Sequence, residues 1–191
     1  IERAEGYTGS LISVSGADTV LTLTDTVIDG KNAEAIESTG YLVFITGGGT
    51  VNIEDKTQLI NNHTTAVYVN VRSALNMNGG VIKDNTITDP NWGGAGIYTC
   101  GTTVINDGEI SGNSTSIWGG GILAERGTLT PNGGEIKNNS AANGAGVTIN
   151  GGAQVVLDGT SITDNNAVYF GAGVYVQGFS NYDGLDTVFE M

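Results

Sequence analysis

One cysteine, one histidine and two prolines in 191 residues remove several classes of function before any motif is read. Cys100 alone cannot build a disulfide framework or a multi-thiolate metal centre, and His63 alone cannot anchor a histidine cluster. Without a His partner, Cys100 is not expected to act as a nucleophile. No cofactor is predicted. Basic residues are scarce too, with 7 Lys and Arg against 20 Asp and Glu and a net charge of −13. A chain so acidic repels a phosphate backbone and an anionic membrane surface alike, so nucleic acid is not an expected partner. No apolar run approaches the roughly 20 residues that cross a bilayer as a helix, and no membrane insertion of this segment is predicted. The start at Ile1 is expected of a processed chain or an excised piece of a longer one.

What the chain does have is 31 Gly, a hydrophobic content of 39% and many β-branched residues. There is no Gly-x-y period, and the apolar fraction is too high for disorder. The pattern instead repeats. Short alternating segments begin at Ile12, Val43, Val67, Ile97, Ile122, Val147 and Val174, 24 to 31 residues apart. Each is followed by a turn and a second apolar segment, such as Val51-Asn52-Ile53 or Val155-Val156-Leu157. A third follows turns such as Asn78-Gly79-Gly80 and Asp107-Gly108, with one dominant apolar residue: Val27, Leu59, Ile82, Ile110, Ile136 or Ile162. Three short strands per repeat with no helical period between them predict an all-β fold, a parallel β-helix of about seven coils, the last incomplete. At about 4.8 Å per inter-strand step the stack spans roughly 29 Å. A single domain over 1–191 is expected, with 1–11 as a cap on the first coil. Residues 177–191 would form an irregular last coil, Leu185 to Phe189 a last strand, with further coils in a longer parent protein.

Three residues after the third-segment apolar position an Asn recurs, as Asn62, Asn85, Asn113, Asn139 and Asn165, with Gly30 in the first coil. Side-chain amides at strand spacing can hydrogen-bond from coil to coil, which predicts an interior ladder. Asn62, Asn113 and Asn138 also head N-x-S/T triplets, so glycosylation competes as an explanation, though it covers fewer of the positions.

The clusters Gly93-Gly94-Ala95-Gly96-Ile97, Gly119-Gly120-Gly121-Ile122, Gly144-Ala145-Gly146-Val147 and Gly171-Ala172-Gly173-Val174, alternating with Ile-x-x-Asn, resemble the repeats of bacterial adhesin-like surface proteins. They are similar to the Gly-Gly-Ala-Ile and Phe-x-x-Asn tetrapeptides of polymorphic outer-membrane proteins, within the pectin-lyase-like group of right-handed β-helices. The resemblance covers about residues 12 to 176 and departs in using Ile or Leu where that family has Phe. It implies a right-handed solenoid on the extracellular bacterial surface, adhesion, and a glycan or a host or microbial surface protein as partner.

Alternation points the middle residue of each first strand outward, giving the row Ser13, Phe44, Tyr68, Tyr98, Leu123, Thr148 and Tyr175. The links that follow the Asn positions add Tyr41, Trp92, Trp118, Tyr169 and Phe170, and absorb the longest insertions, Ala33 to Gly40 and Thr86 to Asn91. Phe44, Tyr68, Tyr98 and Tyr175, bordered by Trp92 and Trp118, are the predicted ligand-binding face; the alternative is that these rings merely shield the coil edge. The coil carrying Asn143 and Thr148 interrupts the row and is expected to contribute least. For catalysis, Asp84 and Asp164 lie three coils apart, roughly 14 Å. Glu109 and Glu135 are closer, on neighbouring coils, and could bind a cation or raise one pKa. Arg72 and Arg126 lie in first turns with Glu125 as an expected local partner, and no focused basic pocket is predicted. The predicted function is non-catalytic and adhesin-like, with a polysaccharide lyase or glycoside hydrolase and a purely structural stalk as the alternatives.

Overall fold

A computed structural model describes residues 1–31, 40–178 and 186–191. Seven strands stack in parallel as the first sheet: Ile12–Ser15, Val43–Thr46, Val67–Val69, Ile97–Thr99, Ile122–Ala124, Val147–Ile149 and Val174–Val176. They pair in register, Ile97 on Val67 and Ile122 on Ile97, so like positions form columns up the stack. Second and third segments make an 11-stranded parallel sheet. The fold is therefore the parallel β-helix that the repeat predicts. The first and third residues of the central first-sheet strands, from Val43 and Ile45 to Val147 and Ile149, are fully buried. With Leu75, Ile82, Ile110, Leu129 and Ile136 they form one continuous core. The β-branched residues suit these positions because they pack well on a pleated surface.

Four details differ from the sequence reading. Ala74–Lys83 and Thr102–Ser111 each run unbroken through the second and third segments. The turns expected at Asn78-Gly79-Gly80 and Asp107-Gly108 are bulges, with the register shifting between Ile105 and Asp107 and again between Asp107 and Glu109. In the first coil the inward residue is Ile28, which pairs with Leu59, while Val27 is exposed. Four of the links contain a fourth short strand, forming a sheet of Thr86–Ile87, Ser114–Thr115, Ser140–Asn143 and Asn166–Phe170. The last strand is Val188–Glu190, paired on Gln154–Val156; Leu185, like Ala33 to Ser38 and Thr39 of the first insertion, lies outside the described residues.

The asparagine ladder is present, and Asn113 and Asn139 use their full hydrogen-bonding capacity. The Nδ2 of Asn113 donates to Ile82 O and to Asn139 Oδ1, at 3.0 Å each. Its Oδ1 accepts from Asn85 N and Nδ2, at 3.2 and 2.8 Å. Two donors and two lone pairs are thus satisfied inside the wall, where an unpaired amide is costly. Asn62, Asn85 and Asn113 have no exposed surface, so the Asn62 and Asn113 triplets are unavailable for glycosylation. The residue before each ladder Asn takes a left-handed backbone: Asn61, Asp84, Gly112, Asn138 and Asp164. That accounts for Asp84 and Asp164 as bend residues, since Asn, Asp and Gly tolerate this conformation best.

Above Asn62 the ladder has a different partner. A Cβ on Gly30 would lie 2.7 Å from Asn62 Oδ1, and into the space left by its absence comes the buried guanidinium of Arg3, donating to Asn62 Oδ1 at 3.1 Å and Gly40 O at 2.9 Å. Ile1 to Arg3 pair along Val27–Asp29, with Arg3 N donating to Asp29 O and Asp29 N to Ile1 O. A second, exposed ladder runs along the bulges: Asn78 donates to Glu54, Asn106 to Asn78 and Asn132 to Asn106.

The two ladders differ in burial, and their substitutions should differ accordingly. Asn113→Ala strands the amides of Asn85 and Asn139 and is expected to cost roughly 2–4 kcal/mol, whereas Asn106→Ala should cost less than about 0.5 kcal/mol. Urea unfolding of both variants measures the contrast; equal costs would deny the inner ladder its role.

Candidate functional site

The predicted aromatic row lies outside the coil, but it is not a uniformly wet face. Phe44, Tyr68 and Tyr175 are half-buried, Tyr98 is only 7% exposed, and Leu123 and Thr148 are buried as well. Tyr98, Leu123 and Cys100 form a small second core, with Tyr68 and Trp118 packed against it. The links fold back over the middle of the row, which the strand pattern alone does not show. Parallel in-register stacking sets the rings one above another. Tyr68 and Tyr98 lie 4.9 Å apart at 9°, Tyr41 stacks on Tyr68 at 4.9 Å, and Phe44 and Trp92 meet the column edge-on at 5.6 and 6.1 Å. Faces of Tyr41, Tyr68 and Tyr98 are thus spent on one another, each contact contributing about 0.5–1.5 kcal/mol beyond area burial.

The rings left available border the column. Trp92 is 45% exposed, and Phe170 is 64% exposed while stacking on Tyr175 at 6.2 Å. Trp118, Asn143 and Phe170 occupy one column of the link sheet: Trp118 bridges Asn143, and Asn143 pairs with Phe170. Asn143 Oδ1 is buried without a hydrogen-bond partner among the described residues. The coil expected to matter least therefore holds a polar atom in need of a donor, between two ring-bearing positions. Tyr41 and Phe170 also contribute more than the sequence assigned to them.

The acidic candidates are already partnered. Glu109 and Glu135 do pair across neighbouring coils, but Lys137 Nζ bridges them, 3.0 Å from Glu109 Oε2 and 2.5 Å from Glu135 Oε2. The hydroxyl of Ser111, 2.6 Å from Glu109 Oε1, and then Lys137 hold the Glu109 carboxyl below its usual range. The pair is a surface cluster already bridged by a cationic side chain, and the expectation of a raised pKa there is corrected. No group of three or more His, Cys, Asp or Glu among the described residues is arranged to hold a metal ion.

Cys100 Sγ sits 3.9 Å from Glu125 Oε2 and is 8% exposed. Burial pushes its pKa up, and Arg126 and a Tyr68 hydrogen bond offset this only in part. Burial likewise raises Tyr68, Tyr41 and Glu125. Glu125 makes no ion pair with Arg126 within 4.0 Å, contrary to the expected partnership; the described pairs are Lys31 with Glu2 and Lys137 with Glu109 and Glu135.

Stacked parallel strands in successive coils place the chain in the class of β-solenoid proteins. The description "right-handed beta helix region" matches residues 10–183, and the chain belongs to that family. No curated protein and no solved structure matches it.

Two expectations follow from the buried thiol and carboxyl. Alkylation of Cys100 by iodoacetamide should be slower than that of glutathione at the same pH and should keep rising above the ordinary thiol pKa. A carboxyl whose folded pKa is raised binds protons more readily in the folded state, so it costs stability above that pKa and the cost vanishes on acidification. Glu125→Gln should therefore raise the melting temperature at pH 7, with the gain shrinking as pH falls below the carboxylate range; a gain constant with pH would contradict this.

Proposed function

We propose that this β-helix is a non-catalytic, adhesin-like segment of an extracellular bacterial surface protein that binds glycans through the ring-bordered link sheet. The observation that carries the reading is the Trp118–Asn143–Phe170 column, where an unpartnered buried amide oxygen lies between two ring-bearing positions. A sugar presents an apolar ring face for an exposed aromatic such as Phe170, and a hydroxyl donor that the Asn143 amide takes when its side chain turns outward. The Gly-Gly-Ala-Ile-like repeats support surface display, and the Glu109–Glu135 pair, bridged by Lys137, lends the enzymatic alternative no support. Of the six residues first assigned to the face, Trp92 and Trp118 keep the ligand role. Phe44, Tyr68 and Tyr98 serve the column, and Tyr175 backs Phe170.

The stalk reading has one observation in its favour, the burial of Tyr98 and Leu123 in a second core. A glycan array probed with the native chain and with Asn143→Ala, Trp92→Ala and Phe170→Ala separates the two. Binding reduced about tenfold or more in these variants, with unfolding midpoints shifted little, is the expected result. Tyr98→Ala should instead cost roughly 3–5 kcal/mol of stability. A native chain that captures no glycan favours the stalk.

A further inference from the structure

The seven basic residues of this acidic chain are not scattered evenly. Arg3 is buried against the ladder, and Lys31 and Lys137 are ion-paired. Arg72 and Arg126 make no ion pair among the described residues, yet both line one cleft of about 300 Å³. Its other walls are Val71, Cys100, Gly101, Thr102, Gly127, Thr128 and the Gly151-Gly152 turn, so two cations and no carboxylate face it in a chain of net charge −13.

Unequal turn lengths create the cleft. Four residues, Asn70 to Ser73, join the first and second strands of the third coil; only Cys100 and Gly101 do so in the fourth. The fifth coil uses three, Glu125 to Gly127, and the sixth again four, Asn150 to Ala153. A short turn between taller ones leaves a notch at that corner. Its floor admits no side chain at Gly101 or Gly127, where a Cβ would come within 2.3 Å of Ser73 O and 2.0 Å of Gly101 O. Arg72 and Arg126, two coils apart or roughly 10 Å at the backbone, stand on either side. The N–H groups of Gly101, Arg126 and Gly127 donate to nothing among the described residues. Glu125, the neighbouring carboxyl, contacts Cys100, itself a wall of the cleft, but does not line it.

We propose that this notch is a binding site for an oxyanion group, a sulfate ester, phosphate monoester or carboxylate borne on a larger polymer. Guanidinium forks from two sides and free turn amides below match the tetrahedral or planar oxygens of such groups. The assignment does not depend on the glycan reading of the link sheet, because it concerns a different corner of the coil and is tested by ions that carry no sugar.

The test is a titration of the isotopically labelled chain with inorganic sulfate, and separately inorganic phosphate and acetate, at low ionic strength. Saturable shifts of the Gly101, Arg126 and Gly127 amides are expected. Arg72→Gln and Arg126→Gln should each weaken them by about tenfold, Arg126→Lys should weaken them less, and Lys83→Gln should leave them unchanged. Both arginines are outside the core, and circular dichroism checks that each variant keeps its fold. Retention on immobilised dextran sulfate, polygalacturonate or a phosphorylated dextran, against neutral dextran, then separates the sources of the group. Shifts that survive the double variant, that are as large around Lys83, or that are absent overturn the proposal. Retention of none of the charged polymers, or equal retention on neutral dextran, overturns its assignment to a polymer-borne group.

Discussion

In-register stacking of the coils is the constraint on which everything else in this protein depends. A backbone that bends sharply several times per turn leaves polar groups inside its wall, and each must find a partner there. The inner asparagines supply it. Asn113 takes its donors and acceptors from the coils on either side, between Asn85 and Asn139. One residue earlier, a left-handed bend delivers the side chain to that position. Where the first coil has Gly30 in place of an Asn, the Arg3 guanidinium meets the exposed acceptor of Asn62. Register, bend and ladder therefore specify one another.

The same stacking turns an outward row into a second core. A side chain that leaves the coil finds its counterpart about 4.8 Å away on the next coil, a spacing close to that of stacked rings. Tyr41, Tyr68 and Tyr98 exploit it face to face, and the links then close over Tyr98, Leu123 and Cys100. The consequence is chemical as well as structural. Tyr68, Cys100 and Glu125 are held neutral more readily than in water because burial penalises their charged forms. Accessible aromatic surface is displaced to the borders, at Trp92 and Phe170.

Scarcity of positive charge gives each cation a distinct setting. Lys137 bridges two carboxylates that column stacking forces together and offsets part of their repulsion, a repulsion that in-register pairing brings when like residues are acidic. Arg72 and Arg126 stand beside a notch made by a short turn, whose lining holds no carboxylate. Variation in turn length thus does what variation along the strands cannot, because the strands must keep their period to stay stacked.

Much of the fold was legible in the chain because its information is periodic. Alternation within Val67-Tyr68-Val69 and its counterparts identified the buried residues, and the Ile-x-x-Asn spacing identified the ladder. Local pattern was weaker where two conformations satisfy it, as at Asn78-Gly79-Gly80, where a bulge replaced the expected turn, and at Val27-Ile28, where two adjacent apolar residues competed for the inside. Direction away from the coil was readable for Tyr98, but its burial was not, since that depends on links distant in sequence folding over it. The same holds for Lys137 between Glu109 and Glu135, for the unpartnered oxygen of Asn143 and for the convergence of Arg72 and Arg126 on one cleft. Sequence by itself determined the strand period, the inward residues and the asparagine column, because each repeats at the spacing of a coil. Only the tertiary structure decided which outward groups are wet, paired or brought together, because those outcomes are set by neighbouring coils of unequal length.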